Sequence, residues 1–505
     1  MVSRHSFDFT FAKGNANTAV RHRNGSPMRL LVMGGFQGHS ETSGIHPLAA
    51  SNIRRVDIDN FDQLLAMLAP TLDLVLDPPN AAPTRLVFRS LEDFHPDRLA
   101  ERDPVLTQLH EIKRRLQEPA TCSEAATSLT RIQGVSFDKT TSEAQQLAAT
   151  AQPEQEAETD DETLERLLGT RPIAASKPTS RQRAVVDEFV QRLVAPQVVP
   201  DKPDTRTYVE AADRAAGDRL RFLLHHPDFQ RLEASWRSLF ELVSQIETDE
   251  TVEFSILSLD AGQLREAVAN PQDKPLNSPF GRLLANTSAT TPDAQPWTTI
   301  VGDYLFGADA SDIQVLSALG SICHGLGIGF LAGAQPALLG CPDLRTHTNP
   351  RDWTRLPADV ASAWQDLRRS PASQAIGLAL PRVLLRLPYG QETDPCELFS
   401  FEEMPGAPVH DAFLWGNPAF LCARVLAQAY CEDDEHSSPV ANGDIADLPA
   451  FIDRQDPETA MQACAEVYLA EAVGEAISDA GCIPVLSFKR RNAVRIGPIR
   501  SLAIS

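Results

Sequence analysis

Leu223–Leu239 reads LLHHPDFQRLEASWRSL, and Arg89–Leu99 reads RSLEDFHPDRL. In and around the first stretch, Leu220, Leu223, Leu224, Leu232, Trp236, Leu239, Phe240 and Val243 recur at helical intervals between Arg219 and Ile246. Pro227 interrupts them. Proline suits the first turn of a helix and not its interior, so the segment predicts two helices, the second starting near Pro227. A histidine and Asp228 then sit at that start, and Trp236 anchors the apolar face. The stretch RSLEDFHPDRL follows a strand-like run, Arg85–Phe88. It precedes Pro104–Leu116, where Val105, Leu109, Ile112 and Leu116 share one helical stripe.

Upstream, short strands and helices alternate. Arg29–Met33 is an apolar run closed by Gly34 and Gly35, and Arg55–Ile58 and Leu72–Leu76 read as further strands. Between these two, Asn60–Leu68 is helical, with Asp59 or Asn60 as its cap. From about Pro119 to Asp161, Thr, Ser, Ala, Gln and Glu dominate, and the run QPEQEAETDDE has no apolar face, which predicts a linker. Two short helices, Asp161–Leu168 and Arg183–Val194, follow. Further on, Val252–Leu259, Gly329–Ala332, Ile376–Leu380 and Val383–Leu387 read as strands, and Ser311–His324, a segment ending at Trp364–Arg369, Asn417–Ala429 and Thr459–Ala480 as helices. Ile483–Phe488 and Ala493–Ile496 form a closing strand pair. The fold class is therefore α/β with α+β mixing: mixed sheets flanked by helices, in two lobes joined by a flexible linker.

The 505 residues leave room for roughly two to four domains. With 46 Lys and Arg against 68 Asp and Glu, the net charge of −22 disfavours nucleic acid and anionic membranes as partners. No apolar run approaches the roughly 20 residues that cross a bilayer, and the start of the chain does not read as a signal peptide. Cys122, Cys323, Cys341, Cys396, Cys422, Cys431, Cys464 and Cys482 form no C-x-x-C pair and lie beside no spaced histidine pair. Scattered thiols of this kind fit a reducing compartment, a bacterial cytoplasm.

His225 and His226, with Asp228 and Glu233, invite a metal or acid–base reading. Neighbours on a helix point about 100° apart, however, and metal helices space their ligands at i and i+4, so helix packing is the favoured account. Cys323 beside His324 lacks the third, orienting group of a nucleophilic pair. Gly325, Gly327 and Gly329 form G-x-G-x-G ahead of a strand, the wrong order for a dinucleotide site. No Walker lysine and no G-x-S-x-G are present, so no cofactor is expected. Arg382, Arg386 and Tyr389 lie in an apolar, strand-rich segment. Buried arginines need carboxylates, and Asp394, Glu402 or Glu403 could supply them.

Two resemblances emerge from these stretches. RLLVMGGFQGHS, VDIDNFDQLLAMLAP and LVFRSLEDFHPDRLAERDPVL, within residues 29–116, resemble in order the small subunit (TssB or VipA type) of the type VI secretion contractile sheath. LLHHPDFQRLEASWRSL, VGDYLF, FLAGAQP, WQDLRRSPASQAIGLALPRVLLRLPYG, FSFEE and FLWGNPAF resemble its large subunit (TssC, VipB or ImpC type). The resemblance implies a fusion of the two, non-enzymatic and built for assembly, acting either as a sheath component or as a sheath-associated accessory such as a cap, initiator or regulator. It implies an N-terminal extension (1–25), a small-subunit domain (26–120), a linker (121–160), the large subunit's N-terminal helices (161–200) and a C-terminally shortened large-subunit domain (201–505). Phe88, Arg89, Asp93, Phe94, Pro96, His225, His226, Pro227, Phe229, Trp236, Arg382, Pro388, Tyr389 and Trp415 are then packing residues of the family signatures. Leu164, Leu167 and Leu168 become the candidate face of a helix contacted by the disassembly unfoldase, the alternative being a plain linker helix. The implied partners are copies of the chain, other sheath subunits, that unfoldase, and inner tube or baseplate proteins. Rival readings are a phage-tail-like sheath protein, and an enzyme or effector travelling with the apparatus that would use His225, His226 and Cys323.

Overall fold

The structure is a computed structural model that describes residues 27–38, 48–75, 84–130, 205–248, 251–269, 274–289, 296–432, 443–452 and 461–504. Ahead of residues 131–204 lie β1 (Met28–Gly34), β2 (Arg54–Val56), α1 (Phe61–Leu68), the antiparallel pair β3 (Thr71–Leu74) and β4 (Thr84–Val87), α2 (Pro96–Arg102), α3 (Pro104–Gln117) and α4 (Cys122–Leu129). Beyond them come α5 (Thr205–Leu224), α6 (Pro227–Ser244), β5 (Val252–Ser258), α7 (Ala261–Val268), α8 (Pro279–Ala289), β6 (Thr299–Phe306), α9 (Ala310–Leu326), β7 (Gly329–Ala334), α10 (Ala358–Arg369) and β8 (Ile376–Leu380). The chain continues through β9 (Val383–Leu384), β10 (Trp415–Gly416), α11 (Ala419–Glu432), β11 (Gly443–Ile445), α12 (Glu471–Asp479), β12 (Ile483–Ser487) and β13 (Val494–Ile496).

Nine of these strands form one sheet in the order β11-β13-β12-β8-β7-β6-β1-β5-β2. Its centre is parallel and its edges antiparallel, which is the mixed α/β class expected from the alternating pattern. Strand β1 comes from the first half yet lies between two strands of the second. Leu30 pairs with Phe254 of β5 on one side and with Thr299 of β6 on the other. Its sequence, MRLLVMG, suits that place, because a parallel strand covered on both faces reads as a continuous apolar run. Gly34 ends it where a Cβ would come within 2.9 Å of the Asp303 Cβ, so no larger residue fits without movement.

One face of the sheet carries the largest described core. Leu31 and Met33 of β1 join Leu257, Ile300, Phe330 and Leu378 from four other strands there, under residues of α7 to α10. Hydrophobic burial therefore crosses the junction between the two halves.

Contacts divide the described residues into two units, one within Met1–Asp103, Leu220–Glu397 and Phe401–Ser505, the other within Pro104–Arg219 and Leu398–Ser400. The unit boundaries thus fall at Asp103 and Leu220 and do not follow the two halves. The second unit also joins them: Lys113 of α3 pairs with Asp213 of α5 at 2.7 Å and donates to the Leu398 carbonyl at 3.1 Å.

Three local expectations need correction. The linker was placed from about residue 121, but Cys122–Leu129 is a helix that buries Ala125, Ala126 and Leu129. Small residues there read as polar filler when they are contact positions. The helix expected over Thr459–Ala480 is reduced to Glu471–Asp479, and residues 461–470 are irregular. Asn60 occupies the N-cap of α1, but its side chain accepts from the Asp57 backbone N–H (3.2 Å) and does not cap the helix. No helix among the described residues is long and apolar enough to cross a membrane.

Candidate functional site

The two signature stretches fold into the same local device and then meet. His95 and His226 are the N-cap residues of α2 and α6, with φ −67° and −64°. In each, the imidazole Nδ1 accepts the backbone N–H two residues on, from Asp97 and Asp228, at 3.2 Å. In each, proline follows at the first helical position, where its missing N–H costs nothing. His-Pro-Asp is thus a helix start written twice, and the pairing of His225 with His226 is not a ligand pair. Among the described residues no group of three or more His, Cys, Asp or Glu is placed to hold a metal ion.

Behind these caps the first half contributes Phe88 and Phe94, stacked with ring centroids 4.3 Å apart. Phe229 of α6 meets both edge-on, at 5.8 and 5.6 Å. The turn between them is held by Asp93, which accepts the backbone N–H of Arg89 (2.6 Å) and of Ser90 (3.2 Å) and the guanidinium of Arg102 (2.5 Å). Burial works to raise the Asp93 carboxyl, but the Arg89 amide and Arg102 outweigh it and hold it below the ordinary value. Arg89 acts here through its backbone; its side chain is exposed. Two turns along α6, the buried Trp236 donates its indole N–H to the Phe36 carbonyl at 3.1 Å. Its ring sits edge-on to Phe36 and Phe61 at 5.3 and 5.7 Å. Trp236, which the sequence reading makes the anchor of the apolar face, and Phe229, a packing residue of the family signature, are therefore the second half's grip on the first.

A neighbouring stripe of the same helix is charged. Glu233 and Arg237, one turn apart, bond at 2.8 Å. Arg386 reaches Glu233 at 2.8 Å and Glu403 at 2.7 Å, and its guanidinium lies 4.2 Å from the centre of the Tyr389 ring. Side-chain exposures of 0% for Glu233, 1% for Glu403 and 9% for Arg386 make this a desolvated cluster. Two guanidinium groups face two carboxylates, so the charge balances, as buried ions require. The Tyr389 hydroxyl accepts from Arg237 (3.0 Å), and its backbone N–H donates to Glu403 (2.8 Å). Burial pushes the Tyr389 phenol up to about 12. Burial would raise Glu403 as well, but Arg386, the nearby His225 and the Tyr389 amide take it down to about 2. His225 thus has its neighbour: Nε2 stands 3.4 Å from Glu403. The His95 ring meets Tyr389 edge-on at 5.1 Å, which brings the first signature against this cluster.

Arg382 takes a partner that was not foreseen. Glu466 receives its guanidinium at 2.6 Å and its backbone N–H at 2.9 Å, in place of Asp394, Glu402 or Glu403. His410 Nε2 lies 3.3 Å from the same carboxylate, and its ring stacks on Trp415 at 5.0 Å. Against burial, His410 and Arg382 bring Glu466 down to about 2. Trp415 donates its indole N–H to the His410 carbonyl (2.8 Å), and the buried Pro388 accepts the Thr393 hydroxyl through its carbonyl (2.5 Å). Sequence spacing carried no signal for Glu466, which is 84 residues from Arg382.

Cys323 is fully buried and pushed up to about 12 by desolvation, the reverse of an activated nucleophile. Leu164, Leu167 and Leu168 lie outside the described residues. The site as a whole is a packed, charge-balanced joint between two segments.

Comparison with known proteins divides the chain in the same way. Residues 206–502 match the family model of the EvpB/VC_A0108 tail sheath N-terminal domain. Residues 11–146 match that of the type VI secretion system VipA family, described as VC_A0107 or Hcp2. Over 287 residues the chain is 28% identical to the type VI secretion system sheath protein TssC1 of Pseudomonas aeruginosa, covering 56% of this chain and 58% of that protein. The chain thus spans a little over half the length of that relative.

Proposed function

Because the chain belongs to the EvpB/VC_A0108 tail sheath family of type VI secretion, with a VipA-type segment fused ahead of the sheath domain, we propose that it is a structural component of a contractile sheath. It serves as a protomer body in one polypeptide, assembling with copies of itself or with separate small and large sheath subunits in the bacterial cytoplasm. It performs no catalysis in this reading. Inner tube or baseplate proteins are its further partners, and Asp161–Arg171 is the handle for a disassembly unfoldase.

The observation that supports this reading best is the placement of β1. A strand from the VipA-type segment sits inside the sheet of the tail-sheath segment, paired on both edges. Two subunits that must associate to form a protomer are thereby made one, and fusion replaces a bimolecular encounter with a high effective concentration. The aromatic joint between Phe88, Phe94 and Phe229 fits the same purpose.

Negative-stain microscopy tests the proposal, with the purified protein examined alone and mixed with a separately expressed small and large subunit pair. Tubes from the protein alone, or its incorporation into tubes formed by the pair, are expected. A protein that stays monomeric in both settings, and neither joins nor alters the tubes, contradicts it.

A further inference from the structure

The turn between β12 and β13 carries Phe488, Lys489, Arg490, Arg491 and Asn492. Lys489, Arg490 and Arg491 are all exposed, and, with the Arg495 hydrogen bond, the charge of Arg491 also helps to hold the Asp444 carboxyl below its ordinary value. The neighbouring Arg495 is already held by Asp444, at 2.7 and 2.9 Å. Arg491 and Arg495 both lie over the Phe488 ring, 5.2 and 5.1 Å from its centre, so the ring holds two guanidinium groups in place. Arg490 has φ +60°, a left-handed conformation that non-glycine residues rarely adopt. Three consecutive cations are thus concentrated on one turn of a chain whose net charge is −22.

That net charge argues against a nucleic acid or an anionic membrane as the partner of this turn. It favours an acidic protein surface, and this chain presents one. Glu392, Asp394, Glu397 and Glu402 are all exposed on the stretch that follows Tyr389. His95 approaches Asp394 at 3.5 Å, Asp97 accepts the Glu397 N–H at 3.0 Å, and the Glu402 carboxylate accepts the Gln391 N–H at 3.0 Å, so the stretch is tethered along its length. We infer that the basic turn Lys489–Arg491 docks on the acidic stretch Glu392–Glu402 of a second copy of this chain. The inference rests on the assembly reading above and deepens it by naming the contact. Such a contact lowers the repulsion between two strongly acidic chains and steers their encounter, with a pronounced dependence on salt.

The test uses the full-length protein in sedimentation velocity at about 0.05 and about 0.5 M salt. One variant combines Lys489→Glu, Arg490→Glu and Arg491→Glu; a second combines Asp394→Lys, Glu397→Lys and Glu402→Lys. The wild type associates at low salt and dissociates at high salt. Each variant alone associates about tenfold or more weakly, and an equimolar mixture of the two recovers association, because each presents the other with a complementary surface. Recovery also shows that both variants are folded. A basic-turn variant that associates like the wild type overturns the contact, as does a mixture that fails to recover, or a wild type that associates at neither salt. Tubes formed equally by wild type and basic-turn variant overturn the contact and leave the sheath proposal standing. Salt-sensitive association that charge reversal abolishes, without tubes in any mixture, keeps the contact and removes the sheath proposal.

Discussion

Helix α6 presents two stripes that bury their side chains by different means. Phe229, Trp236 and Phe240 meet rings of the first half: Phe88, Phe94, Phe36 and Phe61. Glu233 meets Arg386 and Arg237 meets Tyr389 of the second, and Arg386 in turn holds Glu403. Apolar burial is non-directional and scales with area, so the first stripe loses stability in proportion to what is removed. The charged stripe is closer to all-or-none, because deleting one ion leaves its partner buried and unpaired. Attachment of the first half therefore rests on a surface that degrades gradually. The frame to which it attaches is locked by a cluster that fails abruptly.

The largest expected break in that contrast is Glu233→Ala. It leaves Arg386 with Glu403 alone and Arg237 with no carboxylate in the cluster, and about 3–5 kcal/mol of stability is lost. Urea unfolding followed by circular dichroism measures it, and a loss under about 1 kcal/mol would show that the cluster is solvated. Trp236→Phe probes the other stripe more gently. An aromatic ring is kept but a smaller one, and the Phe36 carbonyl loses its donor, so about 1–3 kcal/mol is expected from the same titration.

Acid distinguishes the stripes without mutation. Glu403 and Glu466 have ordinary values of 4.5 and are each held at about 2 in the fold. Depressed carboxyls contribute stability that is complete above the unfolded value and is lost as pH falls through the folded one. Stability should therefore decline from about pH 4.5 toward pH 2. A Glu403→Gln variant, already destabilised, should decline less steeply over the same range. Equal slopes would detach Glu403 from the acid response. The smallest effect belongs to the caps: His95→Ala and His226→Ala should each cost about 0.5–2 kcal/mol. Substituting serine should recover most of it, since its hydroxyl can accept the same N–H.

Much of this architecture was legible from periodicity. The break at Pro227, the strand at Gly329, the helix over Ser311–His324 and the closing pair Ile483–Ile496 all depend on local spacing, which a helix or strand imposes on its own sequence. The family resemblance located both signatures. It did not reveal that His95 and His226 cap helices in the same way, although the repeated His-Pro-Asp was visible in the sequence. Partner choice across long separations was not legible. Three nearby acids were reasonable partners for Arg382, yet Glu466 takes it because β9 and residue Ala465 are bridged. Neither could the apolar run of β1 say which strands would flank it, since parallel neighbours are set by tertiary packing and leave no local mark.

The central claim is that the first half is built into the sheet of the second through β1. Native-state hydrogen exchange on the intact protein tests it most directly, because amides exchange through the opening of whole cooperative units. The account predicts that the amides of Leu30–Met33 exchange as slowly as those of Phe254–Leu257 and Ile300–Val301, in one unit that opens together. Early exchange of Leu30–Met33 while β5 and β6 stay protected would contradict it, since β1 would then be an appended strand and not part of the frame.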